Sequence, residues 1–271
     1  MKSCVTIALV PSVKTGPWIY WDDLESSMRK AATLGFDGVE LFTASADAVA
    51  VDTLIRLSKE LGLSIAAVGT GAGKVINGLT LTDPDPGIRA KAIAFIQAMI
   101  SFGATVNAPA IIGSMQGSAA IGVDRDQALA WLTDGLNTLG KFAETKGVTL
   151  IYEPLNRYET NLINRLEDGA SFLHSLTTTN VRLLADLFHM NIEEASLPDS
   201  IRQAGKLIGH VHFADSNRRP IGTGHTQMND VVKALYDIDY KDYISAEAFP
   251  WPTPDEAAQQ TIQSYRQYFG Q

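Results

Sequence analysis

Short runs of apolar, often β-branched residues alternate along this chain with longer stretches whose apolar positions recur at helical spacing. That alternation is the pattern of a parallel sheet whose strands are joined by crossover helices. The runs predict strands at 6–10, 38–42, 64–68, 110–114, 148–153, 181–186, 209–213 and 243–248, and the periodic stretches predict helices at 22–34, 48–61, 87–102, 126–145, 168–176 and 228–238. Gly35, Gly62, Gly103 and Gly147 stand where a helix should end and the next strand begin, the position at which a left-handed residue closes a helix. Asp126 and Asp168 are placed to accept from the first free amides of their helices. Eight strands in 271 residues amount to about 34 residues per unit, enough for one strand and one helix, so the expected fold is a single (β/α)8 barrel. No Pro- or Ser-rich linker divides the chain, and one domain spanning 1–271 is expected.

Composition narrows the class. Apolar residues make up 45% of the chain and charged residues 19%, enough to build a large core, so disorder is excluded as the default state. The net charge of -8 repels a polyanion and no basic run offsets it, which argues against nucleic acid as a partner. The apolar N-terminal run is cut by Pro11 and lacks a cleavage pattern, so it reads as the first strand rather than a signal peptide. No apolar run approaches the ~18 residues of a membrane span. Cys4 is the single cysteine and can form no internal disulfide. A cytoplasmic location and no membrane partner are expected.

Chemistry collects in the second half. The carboxyl ends of barrel strands form the active face, and here strand five ends in Tyr152-Glu153, strand six in Ala185-Asp186, strand seven contains His210-Val211-His212, and strand eight runs through Ala246-Glu247. These residues recur at intervals of roughly 26 to 35 positions, close to the length of one unit. Three carboxylates facing one cavity repel strongly unless a cation joins them. Oxygen donors with one imidazole suit Mn²⁺, Mg²⁺ or Co²⁺ rather than a sulfur-rich structural zinc.

Around these positions, over about 148–248, the sequence resembles the ketose 3-epimerases of the xylose-isomerase-like sugar isomerase and epimerase family. The segments that carry the likeness are Glu153-Pro-Leu-Asn-Arg-Tyr-Glu159, Asp186-Leu-Phe-His-Met-Asn-Ile-Glu-Glu194, Gly209-His-Val-His-Phe-Ala-Asp-Ser-Asn-Arg218 with Pro220-Ile-Gly-Thr-Gly224, and Glu247. The resemblance implies that Glu153, Asp186, His212 and Glu247 hold one divalent metal ion, Mn²⁺ before Mg²⁺ or Co²⁺. It implies that Glu159, His189 and Arg218 bind the substrate, and that Glu153 and Glu247 are the catalytic acid/base pair. The activity it implies is C3 epimerisation of a free or phosphorylated ketose by proton abstraction and return through a metal-stabilised cis-enediolate. A homodimer or homotetramer is implied as well. Epimerisation needs one acid/base group on each face of the carbon, and Glu153 and Glu247 can flank a substrate lying over the metal. The alternatives are a hydroxypyruvate or inosose isomerase or dehydratase on the same metal site and, at a greater distance, an abasic-site endonuclease. The latter needs a histidine-rich zinc cluster and a positive surface, whereas this chain has five histidines and a charge of -8.

Gly69-Thr-Gly-Ala-Gly-Lys74 lacks the first glycine and the final Ser/Thr of a phosphate-binding loop and is expected to be a flexible loop near the pocket. Glu40 ends strand two on the active face and is read as a structural ion pair. His210, two residues before His212 and so on the same strand face, is read as packing or outer support rather than a ligand. Trp18, Tyr20 and Trp21 follow strand one and suit either an apolar wall for a sugar or a subunit contact. After strand four, Ser114, Gln116 and Ser118 could donate to a phosphate or carboxylate, or form a Gly-rich turn without a ligand.

Overall fold

The computed structural model describes residues 1–270 apart from Ser12, Lys14 and Asp22. Asp22, the expected start of the first helix, therefore lies outside the described residues. Eight parallel strands close into a barrel in sequence order, with β1 hydrogen-bonded to both β2 and β8. They are β1 Lys2–Leu9, β2 Gly38–Thr43, β3 Ser64–Gly69, β4 Ala110–Ile112, β5 Leu150–Tyr152, β6 Val181–Asp186, β7 Ile208–His212 and β8 Tyr243–Ala246. Around them run α1 Leu24–Leu34, α2 Val51–Leu61, α3 Ala72–Asn77, α4 Pro86–Ala104, α5 Arg125–Thr145, α6 Leu166–Ser175, α7 Leu187–Glu193, α8 Leu197–Ala204, α9 Met228–Asp237 and α10 Pro254–Phe269.

The helices lie over the sheet because each carries an apolar stripe. In α5 the stripe is Ala128, Leu132, Gly135, Leu136, Leu139, Gly140 and Ala143, recurring every three or four residues. Each fully buried leucine there stabilises the fold by roughly 1.5–3 kcal/mol. Gly140 is small for a reason of contact, since a Cβ there would fall 2.7 Å from Thr178 Cγ2. The expected caps shift by two or three positions. Asp124 rather than Asp126 accepts at the start of α5, and Asp168 lies inside α6. The start of α6 is capped from a distance instead, its Leu166 N–H donating to Glu194 Oε1 at 2.7 Å.

Four helices depart from the sequence reading. The Gly-rich segment after β3 is not an open loop: residues 72–77 form α3, which Gly78 ends in the left-handed conformation. α7 and α8 occupy the stretch between β6 and β7, and α10 follows β8 behind a Thr253 cap and Pro254 in its first turn.

Register places the chemistry. β6 and β7 pair with a shift between Leu183 and Leu184, after which Asp186 stands beside His212. β7 pairs with β8 so that His212 stands beside Ser245. Irregularities of this kind re-aim side chains at barrel rims. Inside the barrel, below this rim, Ala67, Ile111, Ile151 and Leu184 of β3 to β6 pack as an apolar layer. The polar rim therefore rests on a packed floor. Among the described residues no helix is long and apolar enough to cross a membrane.

Candidate active site and metal centre

The four expected donors meet at the carboxyl end of the barrel. Glu153 follows β5, Asp186 ends β6, His212 ends β7 and Glu247 follows β8, and each offers a ligand atom within 4.8 Å of the others. His212 Nδ1 is the hub, lying 3.1 Å from Asp186 Oδ2, 3.4 Å from Glu247 Oε2 and 3.6 Å from Glu153 Oε1. Glu153, Asp186 and His212 are buried, and Glu247 is partly open to the pocket.

Glu153 is the group least satisfied by protein. Its Oε1 is buried with no hydrogen-bond partner, a costly state for a carboxylate unless something cationic faces it. Burial is the main cause that pushes its carboxyl up to about 8, and the Glu247 and Asp186 charges push the same way against the pull of His212. The space beside it is kept open by Gly113, where a Cβ would sit 2.4 Å from Glu153 Oε2. Asp186 moves oppositely. Burial would raise it, but the Arg218 guanidinium and the imidazoles of His189 and His212 hold it well below the usual carboxylate range. This donor set, three carboxylates and one imidazole with a buried oxygen lacking a partner, could hold a divalent cation of the oxygen-preferring kind.

Arg218 stands against two of the donors. Its Nη1 donates to Asp186 Oδ2 at 2.7 Å and its Nη2 to Glu247 Oε2. The loop after β7 supplies the reason. Asp215 accepts backbone N–H donors from Ser216, Gly222, Gly224 and Thr226, gathering that loop around one carboxylate. Arg218 itself adopts φ +60°, tied by its N–H to Asp215 and by its carbonyl to Phe249. The guanidinium lies 4.8 Å over the Phe188 ring, an arrangement that favours Arg.

His189, in the first turn of α7, is buried, and its protonation pattern follows from its partners. Nδ1 accepts from the Asn156 backbone N–H at 3.3 Å and faces the Asn156 amide nitrogen at 2.7 Å. The proton therefore belongs on Nε2, which points at Glu153 Oε1 and Asp186 Oδ2 from 3.6 and 3.8 Å. Burial lowers its pKa, outweighing the pull of Asp186, so it is a neutral donor. Glu159 sits at the mouth, half exposed, with Oε1 2.9 Å from the same Asn156 amide nitrogen. Asn156 and Asp215 were not singled out in the sequence, although both lie in the segments that carry the family likeness.

These groups open into a pocket of about 380 Å³ that is also lined by Trp18, Phe42, Phe188 and Phe249. Trp18 lines that pocket and stacks on Phe42 at 4.0 Å between ring centroids. Tyr20 is buried beside β1 instead. Of the three donors expected after β4, only Ser114 lines the pocket. Gln116 is buried and engaged with protein, its Nε2 donating to the carbonyls of Gly113 and Glu153 and its Oε1 accepting from Tyr152. Ser118 is exposed outside the pocket lining.

The Xylose isomerase-like TIM barrel family model matches residues 28–268. The chain belongs to that family. It is 34% identical over 246 residues to a D-psicose 3-epimerase of Agrobacterium fabrum, covering 88% of this chain and 80% of the relative. An L-ribulose 3-epimerase of Mesorhizobium japonicum is 28% identical over 238 residues, covering 86% and 78%. Among solved structures, a D-psicose 3-epimerase determined in the presence of D-fructose superposes with a TM-score of 0.83 at 27% identity, covering all of both chains. The expected fold and family are borne out, and so is the class of enzyme, an isomerase acting on carbohydrates. Among the described residues, groups of three or more metal-ligating side chains occur only as the four above and an overlapping trio of Glu40, His210 and His212.

Proposed function

We propose that this chain is a divalent-metal-dependent epimerase that inverts C3 of a free ketose by removing a proton from one face and returning one to the other through an enediolate. The observation that carries the reading is the flanking of the Asp186–His212 pair by two carboxylates, Glu153 beyond β5 and Glu247 beyond β8, over one pocket. A divalent ion held by these four residues, Mn²⁺ in the first instance, would supply polarisation of the ketone and adjacent hydroxyl oxygens, making the C3 proton acidic enough for a carboxylate base.

The protein groups divide the remaining work. Glu153 and Glu247 take the proton from C3 and give one back, each serving one face. His189, neutral and with Nε2–H aimed into the site, donates to the oxygen on which charge builds. Arg218 holds Asp186 and Glu247 in place and offsets part of their charge. Glu159 accepts from a substrate hydroxyl at the mouth, and the Trp18–Phe42 wall covers the apolar faces of the sugar. Arg218 is the one Lys or Arg among the described lining residues, and its guanidinium is engaged by Asp186 and Glu247. With Glu40, Glu153, Glu159 and Glu247 also in the lining, the potential favours a neutral sugar over a phosphate ester.

The test is deuterium exchange at the carbon next to the carbonyl, run with the Mn²⁺-loaded protein in D₂O on D-fructose, D-tagatose, a ketose phosphate and hydroxypyruvate. Deuterium at C3 of the free ketoses, with the C3 epimer as product, is the expected result. Exchange confined to the phosphate ester or to hydroxypyruvate would replace this substrate class.

A further inference from the structure

Glu40 and His210 are buried in the barrel interior, and beyond the charge that Glu40 adds to the pocket lining neither has a part in the chemistry described so far. Glu40 lies on β2 and the two histidines on β7, with β1 and β8 between those strands in the barrel, so their contact crosses the interior. One oxygen of Glu40, Oε1, lies 3.2 Å from His212 Nε2, and the other, Oε2, lies 2.8 Å from His210 Nε2. The opposite nitrogen of His212, Nδ1, is the one that faces Asp186, Glu153 and Glu247. We infer that Glu40 is a positioning residue which, anchored by His210, binds the Nε2–H of His212 and so presents its Nδ1 lone pair to the cation.

The argument is one of hydrogen-bond complementarity. An ionised carboxylate only accepts, so the imidazole nitrogen 3.2 Å from Glu40 donates to it; Nδ1 meets Asp186 Oδ2 at 3.1 Å in the same way, and of the two edges it is Nδ1 that opens to a cation while Nε2 keeps its proton on Glu40. A ring rotated by half a turn about Cβ–Cγ would exchange the two edges and lose this bond. The second oxygen of Glu40, tied to His210, stops the carboxylate from following. Ligand imidazoles are commonly oriented by a carboxylate on the far nitrogen, and removal of such a partner typically weakens metal binding ten- to a hundredfold. The inference rests on the cation site proposed above.

The experiment measures Mn²⁺ stoichiometry and dissociation constant for the wild type, Glu40→Ala and Glu40→Gln, with circular dichroism to establish that each is folded. The ¹H–¹⁵N spectrum of the imidazoles in the Mg²⁺-loaded wild type is recorded alongside. One ion per chain, a dissociation constant raised ten- to a hundredfold in Glu40→Ala, partial rescue in Glu40→Gln whose amide oxygen can still accept, and His212 protonated on Nε2 are expected. Where Glu40→Ala does not fold, Glu40→Gln decides, with weakening of threefold or more expected. Binding by the folded variants within threefold of wild type, a proton on Nδ1 of His212, or a second ion held by Glu40, His210 and His212 would overturn the inference while leaving the four-residue site standing. A wild type that takes up no ion would remove both.

Discussion

At the residue scale the site is governed by one imbalance, a buried Glu153 oxygen without a partner beside two further carboxylates. Because Glu153 titrates near 8, its carboxyl is mostly protonated at neutral pH and must lose that proton to become a ligand. The sign follows: cation binding releases protons, from Glu153 and also from His212, whose pKa burial lowers but the surrounding carboxylates, Glu40 and Glu247 foremost, hold well above the ordinary imidazole value, and affinity rises with pH through the neutral range. Mn²⁺ titration by calorimetry in buffers of different ionisation enthalpy should show this release at pH 7, and an affinity flat between about pH 6 and 8 would contradict it. Folding without cation depends on pH in the matching sense. The raised Glu153 weakens the fold as pH climbs from its ordinary value to about 8, while Asp186 and Glu40, both held low, add stability that is lost only in acid. For Glu40 the lowering is the outcome of a contest, burial raising it and His212 and His210 pulling it further down. Gly113→Ala tests the space beside Glu153. A methyl at the position of the built Cβ, 2.4 Å from Glu153 Oε2, must displace the carboxylate. Turnover should fall on the order of a hundredfold with the barrel intact by circular dichroism, as expected for a catalytic group moved by about 1 Å. Unchanged turnover would mean that Glu153 has freedom the account denies it.

At the element scale, the loop after β7 shows how backbone structure serves the site. Four N–H donors on one Asp215 carboxylate hold the turn that sends Arg218 back over Asp186. Asp215→Ala should destabilise the fold by about 2 kcal/mol, the scale of hydrogen bonds to a charged acceptor, and lower kcat/KM by at least tenfold through loss of Arg218 placement. Urea unfolding and steady-state kinetics read the two effects, and a loss of stability without loss of kcat/KM would separate the loop from the chemistry. The strand-end donors were legible in the sequence because a barrel repeats one unit of nearly constant length and ends each strand on the same face. The contact of Glu40 with His212 was not. It joins residues 172 positions apart across a closed barrel, and neither β2 nor β7 read alone shows that their inward side chains meet. Asp215 was hidden differently, since its role depends on turn geometry that the Gly-Thr-Gly run permits without specifying. α3, α7 and α8 have six to eight residues each, too few turns for periodicity to separate them from loop. The cap of α6 escaped because its acceptor, Glu194, lies 28 positions away.

At the scale of the whole molecule, the fold brings the second half of the chain to the reaction and leaves the first half to shape the pocket. β5 to β8 bring the four donors, whereas β1 to β3 and the segments after them contribute Trp18, Phe42 and the Gly69–Thr70–Gly71 edge. Part of the formal charge of -8 is this cluster of carboxylates, which a cation would offset locally. The central claim is that the two outer donors, Glu153 and Glu247, serve opposite faces of one carbon. It is tested most directly by following C3-proton washout and epimer formation separately, in D₂O, for Glu153→Gln and Glu247→Gln at saturating Mn²⁺ and starting from each epimer in turn. The account predicts that both variants lose interconversion by at least a hundredfold, in keeping with loss of a general acid/base group. It also predicts that each retains washout from one epimer only, and that the epimer differs between the two. Interconversion surviving in either variant, or both variants exchanging the same epimer, would contradict a two-carboxylate mechanism.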